Sequence, residues 1–215
     1  MKNLLYKEWK LAAHPTMYFF PLFGAMLLIP AYPYYVAFMY TCLSIFLMFM
    51  TGRETHEVEY TALLPVGKRD PVRARCLTIG IVELFQILFS IPFAILSARI
   101  NPAGNAVGIE VNAAFYGLVL VMYAVFNALF VPIFYKTGYA VGKAFLIGGS
   151  AVMVYIAVAE AMLYISPALR AVLDTRNPAS LPIRLGVLLA GAVIYVIGML
   201  LTIKVASDRF ERVDL

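Results

Sequence analysis

Apolar residues fall along this chain in long unbroken runs, set apart by short polar stretches, and almost nowhere in the strict alternation of a half-buried strand. A helix that crosses a bilayer needs about 20 mainly apolar residues, within a range of about 17–25. Six segments answer to that description: 16–32, 34–50, 76–98, 113–135, 144–165 and 183–204. The first is short and holds Pro21 and Pro30, with Pro33 just beyond it. Prolines are tolerated at membrane depth where neighbours satisfy the freed carbonyls, so this segment is expected to be kinked. The first two segments are expected to form a hairpin with almost no outer loop. The pattern predicts an all-α polytopic membrane protein, a single transmembrane domain over residues 1–215.

Between the runs, the polar stretches have their own order. Residues 1–14, MKNLLYKEWKLAAH, predict a short helix in the headgroup plane. Leu4, Leu5, Trp9 and Leu11 would share an apolar face, with Lys2, Lys7, Glu8 and Lys10 in water. Residues 99–112, rich in Gly and Asn, predict an irregular loop, and 166–182 a loop with one short helix after Pro167. The densest charge lies in 53–75. RETHEVEYTALLP (53–65) predicts about three turns of helix ended by Pro65, with Val58, Tyr60, Ala62, Leu63 and Leu64 free for a partner. VGK breaks the chain; Asp70 is suited to an N-cap and Pro71 to the first helical position. That helix should run through Arg73 and Arg75 into the third span.

Composition agrees with the membrane reading: 63% of residues are hydrophobic and 13% charged, against about half and about a quarter in soluble domains. The net charge of +5 is spread between apolar runs, which argues against nucleic acid and turns attention to topology. Of the 17 lysines and arginines, 13 fall on the side of the two termini and the 53–75 loop, and 4 (Arg99, Arg170, Arg176, Arg184) on the other. The positive-inside bias places both termini and that loop in the cytoplasm, as an even number of spans requires. The amino terminus lacks a clean cleavage site and is not read as a signal peptide. Cys42 and Cys76 form neither a disulfide framework nor a metal site and are read as packing residues.

No catalytic or metal constellation emerges. His14 and His56 are isolated in separate segments, and the nearest approach to a phosphate-binding loop, TGYAVGKA (137–144), has its first glycine out of place and alanine where the hydroxyl belongs. No cofactor is expected on this chain, and if the protein uses ATP another chain must bind it. Four polar residues fall within spans: Glu83, Gln86, Asn127 and Glu160. Such groups face a bundle interior or a watery cavity, so they are candidates for a translocation path or for interhelical hydrogen bonds. Gly148, Gly149, Ser150 and the Gly186–Ala190 spacing predict close helix approach.

The amino-terminal LLYKEWKLAAHP, the segment EVEYTALLPVGKRDPVRARCL and the length resemble the small six-span permease subunits of bacterial type-2 ABC exporters, among them peptide and drug exporters such as those for phenol-soluble modulins. The likeness covers the whole chain in topology and about 35 residues in motif. It implies an amino-terminal elbow helix, a coupling helix between spans two and three that docks on a separate ABC ATPase, and a unit of two permeases and two ATPases in the bacterial plasma membrane. Carried onto this sequence, Glu54, Glu57, Tyr60, Leu63, Leu64, Lys68 and Arg69 become docking candidates, with KTGYAVGK a second contact. Pro71 stands where the family pattern has an aliphatic residue, and still suits a helix start. Amphipathic peptides, lipids or hydrophobic drugs fit spans so poor in charge. The rivals are a vitamin-capturing membrane subunit of an importer, which the charged loop speaks against, and a membrane enzyme, which lacks a reactive cluster.

Overall fold

The computed structural model describes residues 2–62, 66–67, 69–102, 104–105, 107–137, 140–175 and 177–212. Leu63, Leu64 and Lys68 of the docking set lie outside the described residues, as does the Pro65 helix stop.

Among the described residues every regular element is helical. Helix α1 (Lys2–Lys7) continues into a π-helical turn, Glu8–Ala12. The chain then bends by 104° into α2 (Thr16–Phe19) and a 3-10 stretch, Phe20–Leu28. Five long apolar helices follow the expected spans: α3 (Tyr34–Glu54), α5 (Arg69–Ile100), α6 (Ala113–Lys136), α7 (Val141–Ile165) and α9 (Leu181–Glu211). The first expected span is the exception. It is not a long α-helix, and only the bent amino-terminal pair taken together makes a sixth crossing. Pro21 at the start of the 3-10 stretch has no N–H to give an α-helical ladder. The tighter winding lengthens the rise, so Thr16–Leu28 reaches about 24 Å where an α-helix of that size would reach about 20 Å.

Two short helices complete the chain. Helix α4 (Glu57–Ala62) lies in the loop after α3, and α8 (Pro167–Leu173) follows α7. The loop helix is shorter than the sequence predicts. Helix α3 runs on to Glu54, and the break falls at His56, whose φ of 51° is left-handed. Helix α5 begins at Arg69, one residue ahead of the expected cap, and carries Asp70 in its first turn. Residues 101–112 are irregular where described, and Ser166 caps α8 by accepting from the Leu169 amide.

The hub is α6, which packs most extensively on α9 and then on α7. Its buried aromatics meet those of α3: Phe49 lies edge-on to Phe130 and Phe134, and Phe38 to Phe115. Such edge-to-face pairs each add about 0.5–1.5 kcal/mol beyond area burial. Helices α6 and α9 run parallel: Gly117 meets Gly191, Ala124 meets Gly198 and Tyr135 meets Phe210. The approach is backbone to backbone, since a Cβ on Gly117 would stand 2.5 Å from the Val187 carbonyl oxygen. Small residues are what lets membrane helices come this near. The expected Gly186–Ala190 pair is not the one used: both residues are exposed, and a Cβ on Gly186 would meet nothing within 4 Å. Gly148 does serve, facing Phe126 and Phe130. Outward faces of α5, α7 and α9 carry exposed residues such as Leu84, Leu88, Val154, Val158, Leu189 and Val193, as acyl chains require.

Helix α5 is about 48 Å long, well beyond about 30 Å of hydrocarbon, so one end projects past it. Its first turn is tied to the last turn of α9 by Arg69, which donates to Glu211 at 2.8 and 3.0 Å and lies 3.4 Å from Asp208.

Candidate functional site

Where α1, α4 and the foot of α5 converge, four charges are buried together: Lys7, Glu8, Glu57 and Arg75. Lys7 and Glu8 thus do not reach water as expected of the amino-terminal helix. They turn inward because opposite charges on two other elements meet them. Lys7 Nζ bonds a Glu57 carboxylate oxygen, donates to Thr61 Oγ1 at 2.6 Å, and lies 3.4 Å from Glu8. Arg75 forks, giving Nε to Glu8 and Nη2 to Glu57. The planar guanidinium suits two carboxylates at once, which a lysine could not match. Two cations and two anions leave the cluster neutral, as burial demands.

The surroundings fit the guanidinium. Its carbon sits 5.1 Å over the Phe49 ring, a cation–π contact. Gly52 supplies the room, because a Cβ there would stand 3.3 Å from Glu57 Oε2 and 3.4 Å from Arg75 Nη1. Thr61 donates to the Glu57 backbone carbonyl at 2.7 Å, closing α4 on itself. The short α4, which has too few residues to be stable as an isolated helix, is therefore fixed by charge to both the amino-terminal helix and α5.

Burial raises the Glu57 carboxyl pKa, but Arg75 and then Lys7 outweigh it and hold the group at about 2. A depressed carboxyl stabilises the fold above its unfolded value, so this contribution is whole above about pH 5 and fades as pH falls toward about 2. The stability advantage of the wild-type chain over Glu57→Gln is accordingly expected to be constant from pH 8 to about 5 and to shrink below that. Melting temperatures in detergent across pH 3–8 would show it; an advantage that grows on acidification would contradict the assignment.

Of the other docking candidates, Glu54 and Tyr60 are exposed, with Tyr60 56% accessible. Arg69 is exposed but engaged with α9, as described. Glu57 is inward and engaged.

The intramembrane polar residues sort into two groups. Glu83 is fully buried and accepts from Asn127 Nδ2 at 2.9 and 3.0 Å and from Tyr195 Oη at 2.7 Å, joining α5, α6 and α9. One turn along, Gln86 accepts from Thr41 Oγ1 at 2.5 Å and from Tyr123 Oη, and gives Nε2 to the Ala37 carbonyl at 2.8 Å, joining α5 to α3 and α6. These three residues stand in the packed interior as cross-links between helices. Sequence reasoning missed Thr41, Tyr123 and Tyr195. Their signal was a hydroxyl at mid-span, which must find a partner where water is absent.

Glu160 is apart from them. It lines a cavity of about 420 Å³ with Asn105, Gly108, Tyr164, Arg170 and Asp174, at the opposite end of the bundle from the charge cluster. Glu160 accepts from the Ile109 amide at 3.4 Å, and Asp174 from the Glu110 amide at 2.8 Å. Arg184 donates to the carbonyls of Thr175 at 2.8 Å and Asn177 at 2.6 Å. These charges pin the two long loops. No cluster of His, Cys, Asp and Glu among the described residues has the makings of a metal site.

A family model described as ABC-2 family transporter protein matches residues 3–207. The chain belongs to the ABC-2 transporter family. It is a multi-pass membrane permease subunit of an ABC transporter, a class whose members work with an ABC ATPase. Membership favours the permease reading over the vitamin-capturing subunit and the membrane enzyme. No curated protein and no solved structure matches the chain.

Proposed function

We propose that this ABC-2 permease is the membrane half of a bacterial exporter that moves amphipathic peptides, lipids or hydrophobic drugs across the plasma membrane. Both termini and the α3–α5 loop face the cytoplasm, following the distribution of lysine and arginine. A separate ATPase binds and hydrolyses ATP with Mg, and two permeases, identical or homologous, frame the path. Helix α4 is the coupling helix and Lys2–Ala12 the elbow helix at the membrane surface.

The observation that carries this reading is the buried four-charge cluster. A helix that only filled a loop would not need two buried carboxylates and two buried cations to fix it. Force applied to α4 passes through Glu57 and Arg75 directly to the foot of α5, and through Lys7 to the amino-terminal helix. Glu57 is thereby a load path within the permease, and the gripping surface is the exposed side with Glu54 and Tyr60; Leu63, Leu64, Lys68 and Arg69 remain docking candidates of this reading. Glu160 at the far cavity is the carboxylate placed to meet substrate on leaving. Glu83, Gln86 and Asn127 hold the interior seam that opening of a path would have to part.

Co-purification of the chain with its co-encoded ATPase tests the grip. Glu54→Lys with Tyr60→Ala is expected to weaken association at least about tenfold, the loss of about 1.4 kcal/mol, with the melting temperature of the permease unchanged. Unaltered co-purification and unaltered stimulation of ATP hydrolysis would refute the docking assignment.

A further inference from the structure

A groove of about 390 Å³ lies between the feet of α5 and α9, on the side away from the charge cluster. Its two walls share one gradient. Toward the helix feet stand Arg69 and Arg73 of α5 with Lys204, Ser207 and Asp208 of α9; toward the bundle middle stand Leu77, Leu200 and Ile203. Leu77 and Leu200 are exposed, and exposure of apolar residues continues along both helices at Ile81 and Ile197. The groove is thus cationic at headgroup depth and greasy above it.

The charges there are unequally committed. Arg69 is held by Glu211 and Asp208. Among the described residues Arg73 has only an exposed contact with Asp70 at 3.6 Å along its own helix, a pair of a kind worth little. Lys204 has no hydrogen bond or ion pair among the described residues. Ser207 is 3% exposed, lines the groove, and its hydroxyl is buried with no hydrogen-bond partner among the described residues. A buried hydroxyl without a partner costs about 1–3 kcal/mol, and an acceptor from outside would relieve it. Two uncommitted cations and an orphan donor beside an apolar trough describe the polar and apolar halves of one amphiphile.

We propose that this groove is a binding site for an anionic phospholipid, its phosphate held by Arg73, Lys204 and Ser207 and one acyl chain laid along Leu77, Leu200 and Ile203. The gradient decides for a lipid over a soluble anion, which would gain nothing from the apolar half. A protein segment is disfavoured because the groove opens sideways, toward the acyl chains. The site does not depend on what the permease carries. It bridges the two longest helices at the end where Arg69 already ties them, so an occupied groove reinforces that tie.

Native mass spectrometry of the intact chain in detergent, titrated with phosphatidylglycerol or phosphatidylcholine, tests this. Phosphatidylglycerol is expected to give a saturable adduct that phosphatidylcholine does not match. Arg73→Gln and Lys204→Gln should each weaken it about fivefold, and together about twenty-five-fold, at about one surface charge's worth of lipid attraction apiece. Lys136→Gln, which removes an exposed charge on the same side of the bundle, should leave it unchanged. Lipid-free melting temperatures should not move, since both groove cations are exposed. Equal loss in Lys136→Gln, or full retention in the double variant, overturns the site. Displacement by inorganic phosphate at matched concentration would reduce it to a simple anion site and also overturns it. Variants that keep the lipid but lose the ATPase on co-purification would make the groove a protein contact and sink the proposal.

Discussion

Arg75→Met is expected to cost about 3–5 kcal/mol, because it strands Glu8 and Glu57 in the interior with Lys7 alone to answer them. A buried ion pair is weak grounds for stability, but a buried charge deprived of its partner is strongly unfavourable. Removing one of the two stranded carboxylates would undo the damage. Adding Glu8→Gln to Arg75→Met should restore most of the lost stability, since Lys7 and Glu57 then remain as a neutral pair and an amide tolerates burial where a carboxylate does not. The chain carries its own reporter. Cys42 and Cys76 are both buried and free, so a thiol-reactive dye will label them only as the bundle opens. A single Arg75→Met variant that melts with the wild type would mean the four charges are solvated, and the load path through Glu57 would go with them.

Gly191→Leu should be nearly as damaging, by a different route. A Cβ at that position falls within the van der Waals shell of the Gly117 carbonyl, and backbone cannot swing aside as a side chain does. Overpacking a tight core costs about 1–3 kcal/mol, and here the upper end is expected because both partners are main chain. Gly186→Leu supplies the contrast on the same helix, where open space awaits the side chain and less than about 0.5 kcal/mol should change. Thiol labelling against temperature would rank the two. Equal effects would show that α9 is not seated on α6 through its glycines.

The pair Gly186 and Gly191 also shows where sequence reading stops. Both glycines sit in the same apolar run, and a small residue four positions on made Gly186 the better-looking motif. Which glycine faces a neighbour depends on the rotation of α9 about its axis, which a helix apolar all round does not reveal. The five long helices were legible because a bilayer dictates run length. The foot of α5 was legible because Asp70 and Pro71 are local signals. The 3-10 winding of Phe20–Leu28 was visible only as an awkward proline pattern. The local pattern points Lys7 and Glu8 outward, as charged residues on a short amphipathic helix face water. Their partners stand 50 and 67 residues away in sequence, and no local pattern carries that information. Glu57 was singled out with the rest of its loop, but as a surface residue. Its inward role follows from Gly52 and Phe49 leaving a guanidinium-sized space beside it.

The order of synthesis gives the charge cluster a last meaning. Lys7 and Glu8 leave the ribosome first, Glu57 only after α3, and Arg75 last, with the opening turns of α5. Until then two carboxylates and one lysine wait for a fourth member, and with a net negative charge they are better kept in the wet headgroup layer than buried. The amino-terminal helix therefore cannot settle into its final bed while only the first hairpin has been made. Arg75 is the last of the four to be made, and only with it does the cluster reach the neutrality that burial demands.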